Sequence, residues 1–467
     1  MATLSFWGGV GTVTGSKYLI EGASGRVLID CGLFQGFKEL RERNWQDPPF
    51  DPASLDAVLI THAHIDHTGY LPRLVALGFK GPVYCSRGTA ELLKILLPDS
   101  ARLQEEDAAY RNRHHLTRHA PALPLYTEDD ARDALNLLQP LPNTGESAQV
   151  APGIRAGFRI AGHILGSSLV LVEIEDAGDD GAGRRVLFSG DLGHYNQPII
   201  RDPVAPPACD YMLVESTYGD RLHDPADPKD ELARIINETA ERGGVVLIPA
   251  FAIGRTQELV YLIRELEDEK RIPVLPVRVD SPMAAAATQV YSRRTEEQDE
   301  DYASVLARPQ HPLRTHSMVT ASSREESKRL NEERGTRIIV SASGMMTGGR
   351  VLHHAQRFVP DEKSTIIFVG YQAAGTTGRK ILDGHREVSI YKNRIPVRCR
   401  IERIGGFSAH ADYAEVLRWL EGMPAAPRRS FTTHGEPEAA RAMAEHIRRK
   451  FDWRVDAPEY GERVDLA

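Results

Sequence analysis

The sequence predicts a chain of mixed α+β and α/β character: a layered α+β part, an α/β domain on a parallel sheet inserted into it, and a tail resuming the first style. Three observations predict this. The first part reads as short strands punctuated by glycine and polar turns. From Asp230 onward a different unit recurs, a continuous apolar strand followed by a small-residue turn and a helix. Such strands are buried on both faces, as in a helix-covered parallel sheet. From Arg400 the strand-and-loop style returns.

In chain order, the expected strands of the first part are Tyr18–Ile20, Arg26–Ile29, Ala57–Ile60, Leu169–Ile174, Arg185–Phe188 and Tyr211–Val214. Between Ser86 and Gln139 the pattern turns helical, rich in Ala, Leu, Glu and Arg. The amphipathic segment Glu231–Arg242 then leads into Val245–Ala250, Gly254 and a second helical run, Thr256–Leu266. The same unit recurs at Pro273–Val279 with Ser281-Pro282, at Arg337–Val340 with Gly344, and at Thr365–Val369 with Gly370. The acidic stretch Thr295–Asp301 is expected as an exposed helix or loop. The expected domains are 1–213, an insert at 214–398, and 399–467.

The chain has 467 residues, 41% hydrophobic and 26% charged, ordinary for a globular protein able to bury a core. No run approaches the roughly 18 apolar residues that cross a bilayer, and Met1–Phe6 lacks the basic-then-apolar order of a signal peptide. Cys31, Cys85, Cys209 and Cys399 lie far apart, which excludes a Cys-x-x-Cys zinc knuckle and argues for buried, reduced thiols and a cytoplasmic protein. A net charge of −8 counts against nucleic-acid binding through overall basicity, leaving room for binding through a few focused contacts. Arg111, Arg113, His114, His115, Arg118 and His119 concentrate cationic and titratable groups, and such a run is ordinarily a solvated helix face.

The chemistry is carried by Thr61-His62-Ala63-His64-Ile65-Asp66-His67, directly after the apolar strand Ala57–Ile60. Four imidazole or carboxylate ligands within six residues, on a loop leaving a buried strand, can reach two adjacent metal positions, and zinc favours these donors. The pattern resembles the metallo-β-lactamase superfamily and its His-x-His-x-Asp-His motif. The other motifs follow in order: Asp30 in Leu28–Gly32, His163 in Ala161–Ser167, and Asp191 in Ser189–Gly193. More narrowly, the chain resembles the β-CASP nucleases, a family that includes ribonuclease J and the endonuclease subunit of cleavage and polyadenylation specificity factor. That resemblance rests on Glu215 in Leu213–Gly219, His410 in Phe407–Asp412 and His434 in Thr432–Glu436.

The resemblance implies an αββα sandwich with an inserted parallel-sheet β-CASP domain, and a zinc-dependent ribonuclease of the bacterial type without accessory RNA-binding domains. It implies that His62, His64 and His163 hold one Zn2+, that Asp66, His67 and His434 hold a second, and that Asp191 bridges them around an activated hydroxide. His410 would then be the general acid, oriented by Glu215. Asp30 would orient the histidine loop from behind, although a turn residue after a strand is an alternative reading of it. Single-stranded RNA is the implied partner and no membrane is; a homodimer is compatible with the family. A DNA nuclease of the same branch and a non-catalytic scaffold subunit are the competing readings. A histidine at 434 favours RNA over DNA, and a filled ligand set argues against a scaffold. Finally, Ser343, Gly344, Gly348, Gly349 and Arg350, between an apolar strand and an expected helix, are a candidate phosphate-binding loop, with a tight packing turn as the alternative.

Overall fold

The structure, a computed structural model, describes every residue except 1, 117–120, 176, 178–181, 300, 301, 303, 306–310, 322, 371, 373 and 374. It divides into two units, Met1–Leu222 with His410–Ala467, and His223–Ala409.

The first unit is built on two seven-stranded sheets. In one, the order runs Arg463–Asp465, Thr3–Phe6, Tyr18–Glu21, Arg26–Ile29, Ala57–Leu59, Val83–Ser86, Leu138–Leu141. In the other, it runs Val455–Asp456, Arg429–Thr433, Tyr211–Glu215, Arg184–Phe188, Ser168–Ile174, Ile154–Ile160, Ala148–Ala151. The two inner faces share one core, in which Leu4, Ile20, Val27 and Ile29 meet Phe158, Val170, Phe188, Leu213 and Phe431. Strand periodicity explains the division of labour: Tyr211 and Leu213 enter this core, while Met212 and Val214 face the other way. There they pack with Val416, Trp419, Met443 and Ile447 of the helices Tyr413–Leu420 and Pro437–Phe451. The helices Leu71–Ala76, Arg87–Arg113 and Glu128–Asn136 belong to the first sheet's side, the second of them packing on Val83–Ser86 and Leu138–Leu141. Helix, sheet, sheet and helix form the expected four layers. Each fully buried Val, Leu, Ile or Phe in them contributes about 1.5–3 kcal/mol of transfer free energy.

The second unit carries a six-stranded sheet, all of whose pairs are parallel, in the order Met318–Thr320, Val277–Asp280, Arg337–Ser341, Val245–Pro249, Thr365–Phe368, Arg400–Arg403. A separate hairpin pairs Glu387–Ile390 with Asn393–Pro396. The recurrent strand, turn and helix units of the sequence are these strands with the helices Arg255–Asp268, Pro282–Arg293 and Val351–Phe358.

Two expectations change. The insert lies at 223–409, not at 214–398, because Tyr211–Glu215 is bound on both sides within the first unit and Arg400–Arg403 completes the parallel sheet beside Thr365–Phe368. The tail is more than strand and loop: Ala439, Ala440, Met443, Ala444 and Ile447 recur at helical spacing and are the buried face of Pro437–Phe451. Of the cationic run, Arg111 and Arg113 end the helix Arg87–Arg113 in solvent, and Arg118 and His119 lie outside the described residues. In the acidic stretch, Glu300 and Asp301 do so as well. All four cysteines are buried, free thiols, and among the described residues no helix is long and apolar enough to cross a membrane.

Candidate metal centre

The first unit gathers its polar residues at the ends of strands. The strand Ala57–Leu59 delivers the turn His62–His67, whose last part is the short helix Ile65–Thr68. Gly32 is required beside it, since a Cβ there would stand 1.6 Å from the Asp66 carbonyl oxygen. Asp191 follows the strand Arg184–Phe188 after Gly190, whose positive φ of 55° and close approach to Thr61 leave no room for a side chain. His163 sits between the strands Ile154–Ile160 and Ser168–Ile174, its N–H bound by Ser167 Oγ at 2.9 Å. His434 follows the strand Arg429–Thr433 in the left-handed region and donates its N–H to Gly9 O.

These loops bring seven donors into two groups. His62, His64, His163 and Asp191 form one, with His62 Nε2 and His64 Nδ1 at 3.1 Å, His163 Nε2 and His64 Nδ1 at 3.2 Å, and Asp191 Oδ2 3.3 Å from His62 Nε2. Asp66, His67 and His434 form the other, with His67 Nε2 and His434 Nε2 at 3.1 Å and Asp66 Oδ2 3.4 Å from His434 Nε2. Asp191 reaches both, its Oδ1 standing 3.2 Å from His67 Nε2. With metal–nitrogen bonds of about 2.0–2.1 Å, tetrahedral geometry separates neighbouring ligands by about 3.3–3.4 Å. The observed separations match the edges of such a shell. A second observation agrees: the buried Asp191 Oδ1 faces His67 Nε2 at 3.2 Å and His434 Nδ1 at 3.4 Å without a well-aligned hydrogen bond to either, as ligands around a shared ion would.

Protonation follows the same logic. Burial pulls His62 down to about 3 and His64 to about 4, and carries His163 well below its ordinary value, so these rings keep their lone pairs. Burial would raise Asp191 and Asp66, but the surrounding histidines outweigh it and hold both carboxyls ionised. Burial likewise lowers His67, yet Asp191 and Asp30 overcome it and raise the ring well above the ordinary range.

Behind the donors lies a set of orienting groups. Asp30 Oδ2 accepts from His67 Nδ1 at 2.7 Å and from Thr61 Oγ1 at 2.9 Å, and Oδ1 accepts Thr61 N at 2.8 Å. Thr61 Oγ1 also lies 3.1 Å from His62 Nδ1, and Thr217 Oγ1 lies 3.2 Å from His434 Nδ1. Sequence reasoning missed both threonines. Thr61 adjoins the histidine motif and could have been found, whereas Thr217 is 217 residues from its partner and could not.

His410 stands to one side. Its Nδ1 is 3.1 Å and 3.2 Å from the two Glu215 oxygens, and Glu215 is fixed in turn by the N–H of Leu192 at 2.6 Å and of Thr217 at 3.3 Å. The Asp412 carboxylate caps the helix Tyr413–Leu420 through the N–H groups of Ala414 and Glu415, anchoring the turn that carries His410. Burial pulls this imidazole down, but Glu215 and Asp191 win and raise it to about 9.

The remaining candidates fall in the second unit. Gly349 has a φ of 76°, Gly344 abuts the Phe251 ring, and a Cβ on Gly348 would meet nothing. Ser343 Oγ lies 3.2 Å from Thr347 Oγ1. Arg350 departs from the expected phosphate fork, because its Nη1 is held by the buried Asp280 carboxylate at 2.8 Å and by Ala321 O at 3.0 Å.

Comparison with known proteins gives a consistent picture. The family model of the metallo-beta-lactamase superfamily matches residues 10–241, that of the Beta-Casp domain residues 256–381, and that of the Zn-dependent metallo-hydrolase RNA specificity domain residues 394–458. A ribonuclease of Thermus thermophilus is 36% identical over 98% of this chain and 99% of its own length. An RNase J-like protein of Methanocaldococcus jannaschii is 31% identical over 93% of each chain. The transcription termination factor FttA of the same organism is 30% identical over 97% of this chain and 70% of its own. A solved structure from Enterococcus faecalis, described as a protein of unknown function, aligns over the whole of both chains with a TM-score of 0.54 and 15% identity, a likeness of fold alone.

Proposed function

The chain belongs to the β-CASP branch of the metallo-β-lactamase superfamily, and from that premise we propose that it is a zinc-dependent ribonuclease cutting phosphodiester bonds of single-stranded RNA. The observation that carries the reading is the pair of donor groups sharing Asp191, with the Glu215–His410 pair beside them. His62, His64 and His163 would hold one zinc ion, and Asp66, His67 and His434 the other, each with one Asp191 oxygen. Two such ions, when bound, supply Lewis acidity for a water nucleophile and for the phosphate oxygens. The protein's own groups do the rest. Asp30, Thr61 and Thr217 fix the ring orientations, which sets which nitrogen carries the lone pair. Glu215 engages Nδ1 of His410 and keeps the imidazole protonated at neutral pH. Nε2 then donates its proton to the leaving 3′ oxygen as a water attacks phosphorus in line and gives up a proton to solvent, the P–O3′ bond breaking to leave a 3′ hydroxyl and a 5′ phosphate. The backbone at Gly348, open to solvent, offers a further phosphate contact, for which Arg350 serves as the anchor of the turn. The buried thiols and the intracellular nature of the substrate support a cytoplasmic setting.

The test is to incubate the purified protein with 5′-labelled and 3′-labelled single-stranded RNA, and with DNA of the same sequence, and to size the products. Cleavage of RNA with loss on chelation and recovery with zinc is expected. DNA cleavage without RNA cleavage, or activity indifferent to chelator, would overturn the reading.

A further inference from the structure

The stretch between the strands Arg26–Ile29 and Ala57–Leu59 is more than a connection. It starts on the metal-binding turn, where Cys31 N donates to His67 O at 2.7 Å and Leu33 N to Ile65 O at 3.0 Å. It is then locked. The buried Asn44 amide accepts Phe34 N at 2.9 Å and donates to Phe34 O at 2.8 Å, and Gln35 N donates to Thr14 Oγ1 at 3.1 Å. The lock holds out a short helix, Lys38–Arg43, with no buried residue of its own. Phe37 precedes this helix and Trp45 follows it. Arg41 lies on the helix midway between them in sequence and is exposed. Phe37 is 56% and Trp45 54% exposed, two of the largest apolar side chains that the described surface leaves in water. On the helix's inner side the Arg43 guanidinium lies over the Tyr460 ring at 4.2 Å and the Phe34 ring at 5.5 Å. Among the described residues neither Arg41 nor Arg43 forms an ion pair, whereas the neighbouring Lys38 pairs with Glu42 at 3.4 Å.

We propose that Phe37 and Trp45 form a stacking platform for bases of the RNA substrate, with Arg41 facing its phosphates. The proposal rests on the ribonuclease reading and adds to it a binding surface outside the metal centre. Exposed rings on a fixed scaffold give contact area without an ordering cost. Bases stack on aromatic rings whatever their identity, each worth about tenfold in affinity. The Arg41 guanidinium, without a carboxylate partner, completes the fit to a polyanion that an acidic protein must grip locally. A protein partner or a second copy of this chain would use the same rings as apolar area, and the test separates these.

Phe37→Ala and Trp45→Ala are each expected to raise KM for a long single-stranded RNA about tenfold. kcat, zinc content and hydrolysis of bis(p-nitrophenyl) phosphate, which has no bases, should be unchanged. The double change Phe37→Leu with Trp45→Leu keeps apolar bulk but removes both π faces, and should weaken RNA binding about a hundredfold, as the double alanine change would. Arg41→Gln should flatten the salt dependence of RNA affinity. Unchanged KM in the alanine variants overturns the platform. So does a leucine variant that binds normally, or an alanine variant whose only change on sedimentation is loss of self-association. RNA affinity is read separately by fluorescence anisotropy, so a parent protein that binds but does not cut RNA would count against the ribonuclease reading alone.

Discussion

Replacing Asp30 with asparagine removes one charge and one acceptor oxygen behind the candidate metal centre. The residue is buried and left-handed, with a φ of 59°, a conformation asparagine also tolerates, so the backbone is left in place. The carboxylate accepts three hydrogen bonds, from Thr61 N, Thr61 Oγ1 and His67 Nδ1. Bonds to a charged group contribute about 1.5–3 kcal/mol and neutral ones about 0.5–1.5 kcal/mol, so each bond that survives weakens by roughly 1 kcal/mol; the amide nitrogen cannot accept, so the N–H facing it, that of Thr61 or of His67, loses its bond outright, and the total loss is about 3 kcal/mol or more. Only the His67 bond acts on a proposed ligand. Loss of such an orienting partner typically weakens metal binding by about 10–100-fold, or about 1.4–2.8 kcal/mol. Titrating zinc into metal-stripped protein against a chromophoric chelator reads the affinity, and thermal unfolding of the stripped protein reads the stability. The expected result is zinc affinity lowered 10-fold or more with the fold retained. Asp30→Ala should do worse, since it adds strain at the left-handed position and leaves His67 Nδ1 and Thr61 N without an acceptor. If the asparagine variant binds zinc as tightly as the parent while the alanine variant unfolds, Asp30 merely closes the turn and the orienting role is refuted.

Three further outcomes are expected. Elemental analysis should find about two zinc ions per chain, and His64→Ala or Asp191→Ala should lower metal content and RNA cleavage together; intact metal content would remove these residues from the ligand set. His410→Ala should retain its metals and slow RNA cleavage by about 10²–10⁴-fold. Glu215→Gln should move the alkaline limb of the pH–rate profile down by at least about one unit, because the carboxylate is what holds His410 protonated against burial; an unmoved limb would reassign the proton donor. In the second unit, burial raises the Asp280 carboxyl but the bonds from His354, Ser327 and Arg350 outweigh it and leave its pKa depressed. Its contribution to stability is therefore present above the unfolded value of about 3.9 and is lost as pH falls through the folded one. Asp280→Ala, which takes the buried acceptor from His354, Ser327 and Arg350 while His354 keeps Asn331 and Arg350 keeps Ala321 O, should cost about 2–3 kcal/mol in denaturant unfolding with zinc content unchanged; a loss below about 1 kcal/mol would show the network to be dispensable.

Much of this was legible from sequence because it is local. Four candidate donors within six residues after a buried strand point to a metal site, since a single turn fixes their relative positions. Continuous apolar runs announce a sheet covered on both faces, since no other setting buries every side chain of a strand. The helix Pro437–Phe451 is equally local, an alanine-rich periodic face directly after the histidine motif.

What only the tertiary structure decided is whatever depends on register between distant strands. That His163 Nε2 stands 3.2 Å from His64 Nδ1, and His434 Nε2 3.1 Å from His67 Nε2, follows from sheet order and from where each strand stops. The same holds for Arg400–Arg403, whose polar pattern hides an edge strand until Thr365–Phe368 pairs with it. It holds too for Arg350, whose guanidinium reads as a phosphate fork until Asp280, 70 residues away, is seen to hold it. Spacing along the chain encodes what a few dihedral angles can bring together. Contacts across hundreds of residues are selected by the closing of the whole sandwich, where a side chain's role is set by the partner it meets.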